Sequence, residues 1–120
     1  TLKTRPILVV DDSPSLVRLL SLALMSEGYE VETAGDGIEA LEQLEDADFA
    51  LVILDLEMPR MDGRTLFREL RARGFDQPVI IVSAFGAAQA RRELGADSAV
   101  SKPFDPDRLV TEVRELLKVS

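Results

Sequence analysis

The sequence predicts a doubly wound α/β fold, with a parallel sheet of five strands in the order 2-1-3-4-5 and five helices spread over its two faces. Three observations predict it. The apolar runs Ile7-Leu8-Val9-Val10, Leu51-Val52-Ile53-Leu54 and Val79-Ile80-Ile81-Val82 lack polar alternation and read as strands buried on both faces. Segments with apolar residues at helical spacing lie between them. Two of the runs stop abruptly in carboxylates, at Asp11-Asp12 and at Asp55, and a parallel sheet carries its site at the carboxyl ends of its strands.

Each element has its own signal. Pro6 to Val10 is the first strand. Ser13-Pro14 is a helix cap followed by proline at the first helical position. Leu16, Leu19, Leu20, Ala23 and Leu24 give that helix an apolar face, and Gly28 ends it. Tyr29 to Thr33 alternates as a short second strand. Asp36-Gly37 turns the chain into a second helix, whose face carries Ile38, Leu41 and Leu44. Phe49 to Leu54 is the third strand, and Met58 to Gly63 is a loop punctuated by proline and glycine. Leu66, Phe67 and Leu70 mark the third helix, which the break from Gly74 to Pro78 closes. The β-branched run Val79 to Val82 is the fourth strand. Ala87 to Leu94 is a short, alanine-rich, weakly anchored helix, and Ser98 to Val100 is a marginal fifth strand. Pro106 to Leu117 is the last helix, with Leu109, Val110, Val113, Leu116 and Leu117 turned inward. No repeat, linker or low-complexity segment interrupts this pattern, so residues 1–120 are expected to form one domain.

Right-handed crossovers restrict the topology. The flavodoxin-like order puts the first and third strands side by side, with the ligand crevice at their carboxyl ends. Asp11, Asp12 and Asp55 then share one pocket. Like charges that close cannot all stay ionised, so a proton or a metal cation must sit among them.

Composition narrows the function further. Hydrophobic content of 46% and charged content of 30% are those of an ordinary soluble protein. A net charge of −8 argues against direct nucleic-acid binding through this domain. Without cysteine there are no disulfides or thiolate metal sites. Without histidine, imidazole acid–base catalysis and the usual zinc sites are also excluded. No apolar run approaches the ~20 residues of a membrane span, and the apolar run near the N-terminus is too short for a signal peptide. The expectation is a cytoplasmic protein with no membrane contact.

Taken singly, the acidic residues have plainer readings. Asp11, Asp12 and Asp55 would serve as turn or cap residues, Lys102 as a solvated lysine and Ser83 as the start of a turn. Those readings fail jointly, because several strand ends converge on one crevice with complementary chemistry. The residues Asp11-Asp12, the run Asp55-Leu56-Glu57-Met58-Pro59-Arg60-Met61-Asp62-Gly63, Ser83-Ala84 and Lys102-Pro103-Phe104 occur in order, each at a strand end. Ala34-Gly35-Asp36-Gly37-Ile38-Glu39-Ala40-Leu41 and Gly95-Ala96-Asp97 accompany them. Over essentially its whole length the chain resembles the receiver domain of bacterial two-component response regulators, the CheY-like family.

The resemblance implies that Asp55 accepts a phosphoryl group as an aspartyl-phosphate. It implies Mg²⁺, which prefers oxygen ligands, held by Asp12 and Asp55, by Asp11 directly or through water, and by the backbone carbonyl of Glu57. It implies that Lys102 and Ser83 contact phosphoryl oxygens and spread the transition-state charge. Small Ala84 would leave room for a donor, and a cis Lys102–Pro103 bond would aim the lysine inward. The implied partners are a sensor histidine kinase or histidine phosphotransfer protein on one side and an unknown output domain or partner protein on the other. Catalysis is confined to phosphotransfer and autodephosphorylation at Asp55. Arg18, Leu22 and Met25, off the inward face of the first helix, are the candidate kinase-docking residues.

Two departures from the family pattern fall on the output surface. Receivers commonly carry Tyr or Phe three residues before the lysine, where this chain has Ala99. The segment between Ser83 and Lys102 is shorter than usual by about one helical turn. Phe85 is apolar at a position that shapes water access to the phosphoryl group. A second reading is an Mg²⁺-dependent phosphohydrolase that uses an aspartyl-phosphate, similar to haloacid-dehalogenase-like enzymes. In those the nucleophile follows the first strand and the acidic pair comes late, the reverse of the order here. A non-phosphorylated scaffold would not need every acceptor-site residue. A dinucleotide-binding domain would need a glycine-rich turn after the first strand, and there is none.

Overall fold

The computed structural model describes residues 5–58 and 60–118. Pro59 of the long acidic motif lies outside the described residues, as do the chain ends of the expected 1–120 domain. In chain order the elements are β1 (Ile7–Val10), α1 (Pro14–Ser26), β2 (Val31–Ala34), α2 (Gly37–Asp46), β3 (Leu51–Asp55), α3 (Gly63–Ala72), β4 (Val79–Ser83), α4 (Ala87–Leu94), β5 (Ser98–Ser101) and α5 (Pro106–Leu117). The five strands form one sheet in the order β2-β1-β3-β4-β5, and every pairing is parallel.

Side chains alternate across a strand, so a sheet covered on both faces builds two cores from interleaved residues. Leu8 and Val10, Val52 and Leu54, and Val79 and Ile81 face a cluster closed by Leu41 and Leu44 of α2 and by Leu66, Phe67 and Leu70 of α3. Ile7 and Val9, Leu51 and Ile53, and Ile80 and Val82 face the opposite cluster, closed by Leu20 and Leu24 of α1 and by Leu109, Val110 and Val113 of α5. Both alternate sets are buried, which is why these runs show no polar alternation in the sequence.

Helix starts are set by side-chain caps. Ser13 Oγ accepts from Leu16 N at 3.4 Å, Asp36 Oδ1 from Glu39 N at 2.9 Å and Asp62 Oδ1 from Thr65 N at 2.9 Å. α4 differs, because its cap is Gly86 in the left-handed region and no side chain caps it.

Four local expectations shift. The third strand covers Leu51–Asp55 rather than Phe49 to Leu54, because its pairing with β1 begins where Leu51 meets Ile7. The second strand covers Val31–Ala34 rather than Tyr29 to Thr33, because its register pairs Val31 with Ile7 and Ala34 with Val10. Leu19 is 49% exposed. It sits about 100° round the helix from the fully buried Leu20, past the edge of the stripe that meets the sheet. Ile38 is also exposed, since it occupies the first turn of α2, ahead of the buried Ala40, Leu41 and Leu44. Leu116 and Leu117 are partly buried against the α1–α5 cluster.

Candidate functional site

Register decides which side chains meet. Val10 pairs with Leu54, so Asp11 and Asp55 emerge next to each other as β1 and β3 end. Asp55 pairs with Val82, and Ser83 with Ser101, which sets Ser83 and Lys102 along the same edge. Backbone bonds fix the exits. Asp11 N donates to Ala34 O at 3.1 Å, Leu56 N to Val82 O at 3.1 Å, and Lys102 N to Ser83 O at 2.9 Å.

The loop after β3 is held by a tight approach. Gly63 N donates to Leu56 O at 3.0 Å. A Cβ on Gly63 would fall 2.5 Å from Asp55 O and 2.6 Å from Leu56 Cα. Only glycine allows α3 to start this close to the end of β3. Across the loop, the Arg60 guanidinium pairs with Asp36, the cap of α2. Arg60 itself takes a left-handed backbone, with φ of 66°.

Carboxylate oxygens of Asp11, Asp12 and Asp55 lie within 4.8 Å of one another. Asp55 is 1% exposed and Asp11 is 4% exposed, while Asp12 faces solvent. Lys102 Nζ lies 3.2 Å from Asp55 Oδ1 and 3.3 Å from Asp11 Oδ2. Its peptide bond to Pro103 is cis. Burial pushes the Asp55 carboxyl up to about 6, the Asp11 charge adds to the rise, and Lys102 opposes it. Burial draws the Lys102 ammonium down, but Asp11 and Asp55 outweigh it and hold the group above its ordinary value. Three oxygen-donor carboxylates with one ammonium between them are under-neutralised. That donor set fits a hard divalent cation such as Mg²⁺. Among the described residues no other group of three or more acidic, His or Cys side chains is close enough to hold a metal ion.

On the other side of the crevice, Ser83 meets the side chain of Glu57. Ser83 is fully buried, and its hydroxyl donates to Glu57 Oε2 at 2.6 Å. Ala84 N donates to Glu57 Oε1 at 3.0 Å. Phe85 N donates to Ser83 Oγ at 3.1 Å, and Phe85 O is a second acceptor for that hydroxyl at 2.9 Å. The structure thus brings Asp11, Asp12, Asp55 and Lys102 together, and it engages Ser83 with the side chain of Glu57. Sequence reasoning had given Glu57 only a backbone role. It also passed over the contact of Gly63 with the Asp55 backbone, although glycine directly after the capping Asp62 was a usable signal.

Beside the acidic cluster an open groove of about 320 Å³ runs between α1 and the end of β2, lined by residues that include Asp12, Val17, Arg18 and Gly35. On the outer face of α1, Leu22 is 59% and Met25 57% exposed. Phe85 stands out from the β4–α4 connection, 78% exposed. Among the described residues no helix is long and apolar enough to cross a membrane.

The chain is a doubly wound α/β domain with acidic residues, a lysine and a hydroxyl at the carboxyl ends of its strands. Residues 7–114 match the response regulator receiver domain, and the chain belongs to that family. It is 46% identical over 119 residues to a probable transcriptional regulator, ycf27, of Cyanophora paradoxa, covering 95% of this chain and 48% of that protein. The chain therefore spans about half the length of this curated relative. The receiver domain of the Francisella response regulator 1452 superposes with a TM-score of 0.89 at 31% identity, covering 95% of this chain and 97% of that one. TrrA of Thermotoga maritima, solved in complex with Mg(2+)-BeF, superposes with a TM-score of 0.84 at 38% identity, covering 94% of this chain and 99% of that one. Receiver domains act in two-component signalling with histidine kinases as partners, and they bind Mg²⁺ at an acidic pocket.

Proposed function

We propose that this chain is a phosphoryl-operated switch whose acceptor is Asp55. The observation that carries the reading is the convergence of Asp55, Asp11, Asp12 and Lys102 at one strand edge in a member of the receiver family. A carboxylate oxygen of Asp55 attacks phosphorus on a phosphohistidine donor. A P–O bond forms as the P–N bond breaks, and the imidazole departs with that electron pair and takes up a proton. With its pKa pushed up to about 6, Asp55 is mostly ionised at neutral pH and available as the nucleophile. Lys102, already 3.2 Å from Asp55, follows the developing negative charge. Asp11, Asp12, Asp55 and the Glu57 carbonyl would hold Mg²⁺, which when bound supplies positive charge between the two anions. Burial keeps bulk water from Asp55, so the acyl phosphate hydrolyses only as the crevice admits water.

The donor is a histidine kinase or a histidine phosphotransfer protein, which docks on α1 through Arg18, Leu22 and Met25. The groove beside Arg18 opens directly onto the acidic cluster and supports that placement. Because the relative ycf27 is named a probable transcriptional regulator, the output is read as DNA-linked and carried by another domain or partner rather than by this acidic domain. Ala99 and the eight-residue α4 make the output surface atypical.

Acetyl phosphate with Mg²⁺ should add one phosphoryl group, read by intact mass, and Asp55→Asn should abolish it. Full labelling of that variant, or labelling in excess EDTA, would overturn the assignment.

A further inference from the structure

We propose that the Glu57 carboxylate is an internal stand-in for the phosphoryl group, a latch that occupies the Ser83 hydroxyl and the Ala84 N–H until phosphorylation displaces it. The inference rests on Asp55 being the phosphoacceptor and adds a competitor that this chain supplies itself.

Two donors converge on one anion at the end of β4. The Ser83 O–H points to one Glu57 oxygen at 2.6 Å and the Ala84 N–H to the other at 3.0 Å. A hydroxyl and an adjacent backbone N–H aimed at a single carboxylate form an anion cradle. The cradle lies one residue past Val82, the register partner of Asp55. A phosphoryl group on Asp55 needs hydrogen-bond donors for its oxygens, and Ser83 and Ala84 are the donors on that side of the crevice. Glu57 holds both of them. It reaches them because it follows Asp55 by two residues and leaves the same strand end. Two anions cannot share two donors, so occupancy by one excludes the other.

The latch is built to release. Glu57 lies on the exposed rim and swings into solvent without breaking any core packing. The buried Ser83 hydroxyl is not stranded when it goes, because Phe85 O stands 2.9 Å away as its alternative acceptor. The bond from Phe85 N to Ser83 Oγ ties the backbone after β4 to whichever anion Ser83 holds. Glu57 therefore lowers the apparent affinity for phosphoryl by the fraction of molecules in which the cradle is free.

Beryllofluoride at saturating Mg²⁺ is the probe, titrated against the wild type, Glu57→Ala and Glu57→Asp. Alanine removes the latch, and affinity for beryllofluoride should rise on the order of tenfold, the gain expected if the latch occupies the cradle in about nine molecules of ten. Aspartate keeps the charge but is one methylene too short to span both donors, so it should move in the same direction. In the absence of any phosphoryl mimic, the Ala84 amide resonance should shift upfield in Glu57→Ala as its acceptor is lost. Unchanged or weakened beryllofluoride affinity in both variants, or an unmoved Ala84 amide in Glu57→Ala, overturns the latch. A wild-type response from Glu57→Asp beside a gain in Glu57→Ala also overturns it, since charge alone would then account for the effect. Loss of the phosphoacceptor reading looks different, because Asp55→Asn would then label like the wild type with acetyl phosphate whatever stands at position 57.

Discussion

At the scale of single residues, the site is a balance of unlike costs on a few side chains. Burial and the Asp11 charge raise the Asp55 carboxyl to about 6, so the fold favours its protonated form more than the unfolded chain does. Its contribution to stability is therefore fully present below pH 3.8 and is lost as pH rises through about 6. Asp62 has the opposite sign. The Thr65 N–H it caps lowers its pKa, so its contribution is present above the ordinary carboxylate range and is lost on acidification. A comparison of Asp55→Asn with the wild type in EDTA isolates the first effect. The melting temperature of the variant should exceed that of the wild type by an amount that grows from pH 5 to pH 7.5. Saturating Mg²⁺ should close the gap at pH 7.5 by stabilising only the wild type. A pH-independent difference would mean that Asp55 is not held as a frustrated carboxylate. The acidic cluster was legible because two apolar runs stop in carboxylates and parallel topology brings their ends together, whereas Lys102, after the marginal fifth strand, was placed by the resemblance of Lys102-Pro103-Phe104 to receiver domains. The Glu57 contact was not legible, because it depends on a side-chain rotamer and on two donors from another strand, neither of which leaves a pattern along the chain.

Among the elements, what the sequence reveals depends on how much each one buries. β1, β3 and β4 bury both faces and were plain as continuous apolar runs, although the limits of β3 slid from Phe49–Leu54 to Leu51–Asp55, and those of β2, at the sheet edge with Glu32 and Thr33 exposed, slid by as much. The exposure of Leu19 was hidden for a related reason. Helical spacing gives the direction of a buried stripe, but its width is set by the partner surface. The start of α3 is where element geometry governs chemistry most directly. Gly63→Ala would place a methyl group against backbone atoms of Asp55 and Leu56, which have no side-chain rotamer to change. Overpacking of this kind costs about 1–3 kcal/mol. Urea denaturation should show a loss in that range, and acetyl phosphate labelling of the folded variant should slow because the acceptor backbone is displaced. Full stability with full labelling would mean that the approach relaxes freely. The outer face of α1 carries Leu19, Leu22 and Met25 next to the groove at Arg18, a larger apolar surface than the sequence had suggested. Leu22→Glu should slow phosphotransfer from the cognate kinase and leave labelling by acetyl phosphate intact. Equal loss with both donors would place the damage in the fold or the site rather than in docking.

For the molecule as a whole, the question is which part moves when the crevice fills. α5 is anchored by Leu109, Val110 and Val113, and α4 fully buries only Ala87 and Ala90. A buried Leu or Val is worth ~1.5–3 kcal/mol, and a single methyl roughly 0.8 kcal/mol, so α4 is the helix held least by packing. Leu94 adds partial burial against the α2–α3 cluster, and the ion pair of α4 is at the surface. Arg64 pairs with Glu93 at 3.4 Å, both partly exposed, and such pairs contribute little. Both ends of α4 are glycines in the left-handed region, Gly86 and Gly95, so no side-chain cap pins its start. Ala99 offers no ring to swing between positions. The path left open runs through the backbone, from Ser83 to the N–H of Phe85 and on into α4. A ligand shifts such an equilibrium only by its differential interaction with the two states, and a phosphoryl group that draws the Ser83 hydroxyl supplies that difference. Beryllofluoride with Mg²⁺ should therefore change hydrogen-exchange protection mainly across residues 85–94, with α5 nearly unaffected. If that segment is indifferent and protection changes only in α1, the signal is read beside the active site and α4 is not the moving part.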